Sequence, residues 1–199
     1  SLNFSLIISV SFNFSSDFSN DADYAIACFS KLAIMLMFGW KFICIDVANG
    51  FHQLVGNYIE LLKKNYPNIK IITGNVASVE GYKYLEDSGA DAVRVGIGGG
   101  GVCTTSVATG VGTSQGSLVR DIAEYRASKS YPTPELIADG GIKHPGDLVK
   151  ALALGADVVM MGSAFAGTDE SGAQSLMVGN HYVKRYGGAL EQVELFTSL

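Results

Sequence analysis

Cys103 lies at the end of a glycine-rich stretch, Gly96 to Gly101, in which five of six residues are glycine. Such a backbone turns freely, so its carbonyls can converge on a monovalent cation or its amides on an anion, and composition leaves both open. A thiol held by this loop can act as a nucleophile, and the hydroxyls of Thr104 and Thr105 can move protons beside it. A lone cysteine is more often a small buried residue, but the glycine flank favours chemistry at Cys103.

A second group of polar and glycine residues follows two later strands of the predicted fold. Asp139-Gly140-Gly141 ends one strand, and Gly162-Ser163 ends the next. Backbone amides at such ends bind phosphate because glycine allows close approach, and an aspartate beside them can accept hydrogen bonds from ribose hydroxyls. Each glycine pair taken alone is equally consistent with an ordinary strand-to-helix turn. Together they predict a site for a nucleoside monophosphate.

The elements that must position these residues begin at Phe42, where β-branched runs start to alternate with amphipathic stretches. This alternation is typical of parallel strands joined by crossover helices. The predicted strands are Phe42 to Val47, Ile69 to Gly74, Ala92 to Ile97, Leu136 to Ala138 and Val158 to Met161. The predicted helices are one containing Leu54 to Lys64, followed by Val79 to Ser88, Leu118 to Ser128 and Asp147 to Leu154.

Two nearly identical phrases mark the passage from a helix to a strand: Ser88-Gly89-Ala90-Asp91-Ala92-Val93 and Leu154-Gly155-Ala156-Asp157-Val158-Val159. In each, a glycine follows the helix, where a left-handed C-cap needs it, and a buried strand then opens. This recurrence predicts a (β/α) barrel, in which the active site lies at the C-terminal ends of the strands. An open doubly wound sheet is the alternative, since a repeat alone does not require closure.

Composition and charge exclude several classes of protein. The chain has 199 residues, 48% of them apolar, and a net charge of -5, which argues against a disordered tail and against nucleic-acid binding. Three cysteines, at positions 28, 44 and 103, make no disulfide framework and favour a reducing compartment. The three histidines, His52, His144 and His181, lack the spacing of zinc ligands. The apolar run Leu32 to Trp40 is too short to span a membrane, so we expect a cytoplasmic protein without a targeting segment.

The glycines divide the chain into two parts. Only Gly39 lies within residues 1–42, whereas the other 23 of the 24 glycines follow. Seven of the ten phenylalanines lie in that first part, which matches no barrel unit. We therefore predict an N-terminal segment, 1–42, that is a divergent or incomplete early part of the barrel. The second part, 43–199, is predicted to hold the later β/α units with the cysteine loop and the phosphate site.

Several strings of the second part resemble one enzyme family. They are Val95-Gly96-Ile97-Gly98 through Val102-Cys103-Thr104-Thr105, Thr109-Gly110-Val111-Gly112, Ile137 to Ile142, Pro145-Gly146-Asp147, and Met160-Met161-Gly162-Ser163 through Ser171. From about Ile43 to Gly172 the chain is similar to the IMP dehydrogenase and GMP reductase family. Asp46-Val47-Ala48-Asn49-Gly50 resembles the reductase version of a motif in which dehydrogenases carry a different triplet. The resemblance therefore favours GMP reductase.

This resemblance implies a (β/α)8 TIM barrel, of which the sequence shows the later units, and a covalent mechanism. Cys103 would attack C2 of the purine to form a thioimidate, and Thr105 matches a threonine that transfers protons in the reductase. In a reductase, GMP loses ammonia and NADPH delivers hydride to C2, which gives IMP. In a dehydrogenase, IMP gives hydride to NAD and water then releases XMP. A purine nucleotide-binding fragment without activity is the third hypothesis.

The resemblance also implies binding residues and partners. Gly98, Gly100 and Cys103 match carbonyl ligands of a potassium ion, which favours the cation alternative for the glycine loop. The implied ribose and phosphate contacts are Asp139, Gly140, Gly141, Gly162, Ser163 and Tyr186, the last of these in a substrate loop around Lys184 to Gly188. The implied cofactor-binding residues, which would contact NADPH, are Asp46, Val47, Ala48, Ile97 and Gly98. Family members usually form tetramers, so we expect a homo-oligomer.

Overall fold

A parallel β-sheet forms the centre of the fold, and the computed structural model describes residues 8–11, 41–100, 103, 105–187 and 193–197. Within these ranges the sheet has six strands: β1 (Ile8–Ser11), β2 (Phe42–Asp46), β3 (Lys70–Val76), β4 (Ala92–Val95), β5 (Glu135–Asp139) and β6 (Val158–Met160). The helices are α1 (Gln53–Asn65), α2 (Val79–Asp87), α3 (Thr105–Thr109), α4 (Gln115–Ala127), α5 (Pro145–Ala153) and α6 (Ser163–Ala166). None of these described helices is long and apolar enough to cross a membrane.

The strand order decides between the two predicted architectures. Each strand pairs with the strand that precedes it in the chain, from β1 to β6, and every pairing is parallel. A doubly wound sheet reverses its order at a switch point, whereas a barrel adds each new strand to the same growing edge. The described part of the chain is therefore a partial (β/α) barrel, as predicted, and the doubly wound alternative is wrong.

One face of the sheet packs against the helices. Its strand residues share one apolar cluster with the buried faces of the helices: Ile43, Ile45, Ile71, Val93, Val95, Leu136 and Ala138 with Ile59, Leu62, Leu85 and Ile122. Because side chains alternate along a strand, the residues between them lie on the opposite face. Asp46, Arg94 and Asp139 have this opposite orientation. The polar residues of the strands therefore point to the interior of the partial barrel.

Both Gly-Ala-Asp phrases end their helices in the same conformation. Gly89 has a φ of +99° and Gly155 a φ of +106°. At the first phrase, the amides of Gly89 and Ala90 donate to the carbonyls of Glu86 and Leu85 at 2.9 and 3.0 Å. The same pair of hydrogen bonds ends α5 at the second phrase. This is the Schellman arrangement, and it confirms the left-handed caps that the sequence predicts.

The aspartate of each phrase then bonds to the neighbouring strand. The Asp91 amide donates to the Ile71 carbonyl at 2.9 Å, and the Asp91 carboxylate accepts from the Ile71 amide at 2.8 Å. Asp157 makes the same two bonds with Leu136, at 2.9 and 2.7 Å. Each aspartate therefore fixes the register between the strand that it introduces and the strand before it.

Gly155→Ala is expected to destabilise the fold more than Gly89→Ala does. Both changes put an alanine at positive φ, which costs on the order of 1–2 kcal/mol. A Cβ at position 155 would also lie 2.5 Å from the Ala123 Cβ, whereas a Cβ at position 89 would lie 3.4 Å from the flexible Lys63 side chain. Urea unfolding of the two variants measures the difference. Equal losses of unfolding free energy would contradict the expectation, because they would mean that α4 moves away from residue 155 at no cost in free energy.

Asp91 is expected to make the stability depend on pH. Burial raises the pKa of its carboxyl group, but hydrogen bonds from Lys63, Lys70 and the Ile71 amide outweigh burial and lower that pKa below its ordinary value of 3.8. A carboxyl group whose pKa is lower in the folded state stabilises the fold above the unfolded pKa and loses this contribution as the pH falls through the folded pKa. From about pH 5 to about pH 3, the unfolding free energy of the wild type should therefore fall more steeply than that of Asp91→Asn. Parallel pH profiles would rule out this role.

The structure moves several predicted boundaries. β4 ends at Val95 and not at Ile97, because Gly96 has a φ of +118° and turns the backbone out of the strand. α5 begins two residues before its predicted start, at Pro145, since the extended residue His144 caps it. α4 begins three residues early, and the other predicted boundaries differ by one or two residues.

A second, antiparallel sheet follows α6 and was not predicted. It contains β7 (Ser175–Val178), β8 (His181–Gly187) and β9 (Val193–Thr197). The predicted substrate loop around Lys184 is thus wrong for residues 184–187, because β8 pairs with β7 on one side and β9 on the other. Gly188, the last residue of that predicted loop, lies outside the described residues. In the first part of the chain, β1 pairs with β2 through Ile8 and Ile43.

Candidate active site

A cleft of about 310 Å³ opens at the C-terminal ends of β5 and β6, where a barrel carries its active site. Two glycine turns and the loop after β4 supply most of its walls. The lining residues are Gly99, Gly100, Asp139, Gly140, Gly141, Ile142, Lys143, Met160, Met161, Gly162 and Ser163. The structure therefore brings together five of the residues that the sequence predicts for ribose and phosphate: Asp139, Gly140, Gly141, Gly162 and Ser163.

The walls of the cleft meet by direct backbone contact. A Cβ on Gly99 would lie 3.3 Å from the Gly140 carbonyl carbon, and a Cβ on Gly140 would lie 3.0 Å from the Gly100 nitrogen. Gly140 also has a φ of +89°, which favours glycine. The glycine loop after β4 and the Asp139-Gly140-Gly141 turn can approach this closely only because neither has side chains at the contact.

Cys103 lies next to the cleft, on the far side of Gly100. Its amide donates to the Gly100 carbonyl at 3.2 Å, and its side chain is half-buried and carries a free thiol. Thr105 begins α3 two residues later, whereas Thr104 lies outside the described residues. The predicted nucleophile is therefore adjacent to the cleft without lining it, and the residue with one predicted proton-transfer hydroxyl follows two positions later.

Arg94 bridges two carboxylates on the interior face of the sheet. Its Nη1 lies 2.8 Å from Asp46 Oδ1, and its Nη2 lies 2.7 Å from Asp139 Oδ2. The side chains of Arg94 and Asp139 are only 12% and 18% exposed, so the charges interact with little screening. Burial lowers the pKa of Arg94, but Asp139 and then Asp46 raise it well above its ordinary value. The guanidinium therefore stays charged and holds both carboxylates in place.

Asn75 is the second residue that hydrogen-bonds to the Asp139 carboxylate. Its Nδ2 donates to Asp139 Oδ2 and to the Gly96 carbonyl, each at 2.8 Å. Asp139 Oδ2 thus accepts bonds from Asn75 and from Nε and Nη2 of Arg94. Because these donors all reach Oδ2, Oδ1 is the oxygen that suits a ligand hydroxyl. Asn75 also ties the glycine loop to the same carboxylate.

Sequence reasoning did not assign a role to Arg94, Asn75 or Lys143. A single cation in the apolar strand Ala92–Val95 is a signal for Arg94, because a buried arginine needs a partner. Asn75 lies in β3 between the buried residues Gly74 and Val76, and an amide side chain at such a position also needs hydrogen-bond partners. Lys143 lies two residues after the predicted phosphate turn Asp139-Gly140-Gly141 and lines the cleft.

The residues predicted for the cofactor side lie at the end of β2 and in the loop after β4. Val47 and Ile97 are buried, Ala48 is exposed, and the Val47 amide donates to the Gly74 carbonyl at 3.0 Å. Asp46 is held by Arg94 with its carboxylate 37% exposed. A carboxylate fixed in this way accepts hydrogen bonds from ribose hydroxyls, so the chemistry of the site fits a nicotinamide nucleotide.

The backbone carbonyl oxygens of the glycine loop are the kind of ligand that binds potassium. Gly98 has a φ of +82°, and a Cβ there would lie 2.3 Å from the Ser106 side chain, so only glycine allows this turn. The Gly100 carbonyl and Cys103 belong to one hydrogen-bonded turn. Potassium is bound in proteins by backbone carbonyl oxygens, and Gly98, Gly100 and Cys103 would supply them.

The backbone of Tyr186 lies in β8, where it pairs with Glu194 of β9. Its predicted contact with substrate stays a prediction.

Comparison with known proteins gives the class to which this barrel belongs. Residues 24–193 match the model of the IMP dehydrogenase / GMP reductase domain. Because this match covers most of the chain, the chain belongs to the IMP dehydrogenase and GMP reductase family. Both activities for which the family is named are oxidoreductions of purine nucleoside monophosphates.

Individual relatives carry both names. Over 80% of its length the chain is 43% identical to an inosine-5'-monophosphate dehydrogenase of Chlorobaculum tepidum, and over 79% it is 41% identical to that of Aquifex aeolicus. It covers 32% of each of these enzymes. It is also 42% identical, over 77% of its length, to a GMP reductase of Lysinibacillus sphaericus, of which it covers 46%. The chain thus spans about a third to just under half of these relatives.

Proposed function

We propose that the protein to which this chain belongs reduces GMP to IMP with NADPH and releases ammonia. The observation that carries this proposal is the bridge from Asp46 through Arg94 to Asp139. It joins the reductase-type motif Asp46 to Gly50 to the carboxylate that is predicted to bind the substrate ribose. Because the chain spans less than half of the relatives described, the activity is proposed for the whole protein.

Cys103 is the nucleophile in this proposal. Its Sγ attacks C2 of GMP, which forms a carbon–sulfur bond. The 2-amino group takes a proton and leaves as ammonia, so that Cys103 and the purine are joined in a thioimidate. Thr105, two residues away at the start of α3, exchanges the proton through its hydroxyl, which can both donate and accept.

The second half of the reaction returns the enzyme to its starting state. NADPH, when bound, supplies the hydride that C2 receives. The carbon–sulfur bond then breaks, Cys103 leaves as a thiolate, and IMP is released. One GMP, one NADPH and one proton thus give one IMP, one NADP⁺ and one ammonia.

The cleft binds the nucleotide in this proposal. Asp139 Oδ1 accepts from a ribose hydroxyl, since Arg94 and Asn75 occupy Oδ2. Backbone amides of the two glycine turns bind the phosphate, because they can approach it without side chains between. The proposed contacts are Asp139, Gly140, Gly141, Gly162, Ser163 and, from β8, Tyr186.

The remaining roles rest on the resemblance and on the donor chemistry described above. Asp46, Val47, Ala48, Ile97 and Gly98 are proposed for the NADPH side. Gly98, Gly100 and Cys103 are proposed to hold potassium and thereby to fix the thiol loop. A cytoplasmic homotetramer is proposed as the working form.

IMP dehydrogenase activity is the second candidate. It is supported by the relatives from Chlorobaculum tepidum and Aquifex aeolicus, both of which are named dehydrogenases. The same thioimidate serves this direction, with hydride leaving C2 of IMP for NAD and water replacing the thiol to give XMP.

The experiment is an assay of the whole protein with potassium present. We expect GMP to consume NADPH and to release ammonia in equal amounts. Turnover of IMP with NAD, without turnover of GMP, would replace this function with that of a dehydrogenase. Nucleotide binding without turnover in either direction would indicate a binding protein.

A further inference from the structure

Lys184 is a buried cation whose partners are backbone carbonyls. The residue is 4% exposed, and its Nζ donates to the carbonyls of Thr168, Asp169 and Ser171 at 2.6, 3.3 and 3.0 Å. These three residues belong to the turn that follows α6. The ammonium group has three donors, and each finds an acceptor in this turn. Lys184 therefore fastens β8 to the turn after α6.

A run of backbone hydrogen bonds connects this turn to the cleft. The Thr168 amide donates to the Phe165 carbonyl at 3.2 Å, and the Phe165 amide donates to the Gly162 carbonyl at 3.0 Å. Gly162 and Ser163 line the cleft. A shift of Thr168 is therefore passed through α6 to the wall of the cleft.

We propose that Lys184 is a positioning residue for phosphate binding: by holding the Thr168-to-Ser171 turn, it fixes the Gly162-Ser163 wall of the cleft relative to β8. The same strand carries Tyr186, two residues further on. This inference rests on the proposed function, in which Gly162, Ser163 and Tyr186 contact the substrate phosphate. Lys184 touches no ligand and acts through the turn.

The test compares binding of GMP with binding of guanosine, because the two ligands differ only in the phosphate. Calorimetry gives both dissociation constants for the wild type and for Lys184→Met, which keeps an unbranched side chain one atom shorter and removes the three donors. We expect the preference for GMP over guanosine to fall about tenfold or more in this variant, since a small displacement of a binding wall has large effects. Guanosine binding should stay unchanged. An unchanged preference for GMP would overturn the proposal.

A matched control is Lys150→Met. This lysine lies on α5 with its side chain 75% exposed, beside Asp147. Its removal should leave the preference for GMP at the wild-type value. An equal loss in both variants would overturn the specific role of Lys184.

A second variant keeps the test decisive where Lys184→Met does not fold. In Lys184→Ala, added propylammonium supplies the missing carbons and the ammonium group, whereas 1-propanol supplies no charge. Restoration of the GMP preference by propylammonium alone supports the proposal, and no restoration contradicts it. Failure of the proposed function would look different, because it would appear in the turnover assay of the wild type, whereas this proposal is tested by the ratio of the two dissociation constants.

Discussion

Replacing Cys103 with alanine is expected to abolish turnover while GMP still binds. Loss of a covalent nucleophile lowers turnover by about ten-thousand-fold or more in enzymes that depend on one. The Cys103 thiol lies beside the cleft without lining it. The backbone amide of residue 103 donates to the Gly100 carbonyl, and an alanine at this position retains that amide. Binding of GMP should therefore change by less than about threefold, since the ribose and phosphate contacts lie elsewhere. Steady-state assays and calorimetry measure the two quantities separately.

Cys44→Ala is the matched control for this prediction. Cys44 lies in β2 and is 6% exposed, so its loss costs stability, on the order of 1 kcal/mol. It should leave turnover in place, because Asp46 and Asp139 still hold Arg94 when Nη1 of Arg94 loses its 3.8 Å contact with the Cys44 sulfur. Turnover that survives Cys103→Ala, or that is lost only with Cys44, would exclude Cys103 as the nucleophile.

Replacing Arg94 with methionine is expected to have the largest effect on stability. The change leaves Asp46 and Asp139 facing each other without the charge between them. Removal of one partner from a buried ion pair costs about 3–5 kcal/mol, and we expect the lower end, because Asp46 is 37% exposed. Urea unfolding at pH 7 measures this loss. Binding of GMP should weaken as well, since Asp139 Oδ2 loses two of its donors.

Arg120→Met provides the control for the loss of an arginine. Arg120 is 57% exposed and pairs with Asp121 and Glu124 on the surface of α4, where ion pairs contribute little. Its unfolding free energy should stay within about 0.5 kcal/mol of the wild type. In a double-mutant cycle, adding Asp139→Asn to Arg94→Met should cost less than Asp139→Asn alone. Additive losses would show that the bridge does not hold Asp139.

The helix-to-strand junctions could be predicted from the sequence because their structure depends on residues a few positions apart. Gly89 and Gly155 take the positive φ that the phrase requires. The strand after Gly89 is buried as predicted, but the predicted burial of the strand after Gly155 is wrong, because β6 lies at the edge of the described sheet with Val158 and Met160 exposed. The predicted cleft residues from Asp139 to Ser163 converge for a different reason, which is that neighbouring parallel strands end at one rim. Their roles in catalysis stay predictions.

The ion pairs that join Asp46, Arg94 and Asp139 could not be predicted, because the three residues come from three different strands. The register between β2, β3, β4 and β5 puts Asp46 at the level of Arg94 and puts Asp139 two residues beyond the β5 partner of Arg94, on the same face and within reach of its side chain. Hydrophobic patterning predicts which face a residue occupies, but it carries no information on the level at which a distant strand is paired.

The antiparallel sheet was missed for another reason. All four residues of β7 are exposed, so this strand shows no alternation of buried and exposed residues. The signal that was present is the two-residue turn Gly179-Asn180 between β7 and β8, in which Gly179 has a φ of +62°. Such a pair between two apolar runs is typical of a β-hairpin.

The aspartates that open β4 and β6 also bear on how the protein is assembled in time. Asp91 bonds to a residue 20 positions before it, and Asp157 to one 21 positions before it. A loop of this length costs less entropy to close than one that joins distant parts of the chain, and contacts between residues close in sequence form sooner than distant ones. Each strand can therefore be locked to its predecessor as soon as the intervening helix has formed. The barrel wall can grow in chain order, one unit at a time, before the later strands have been synthesised.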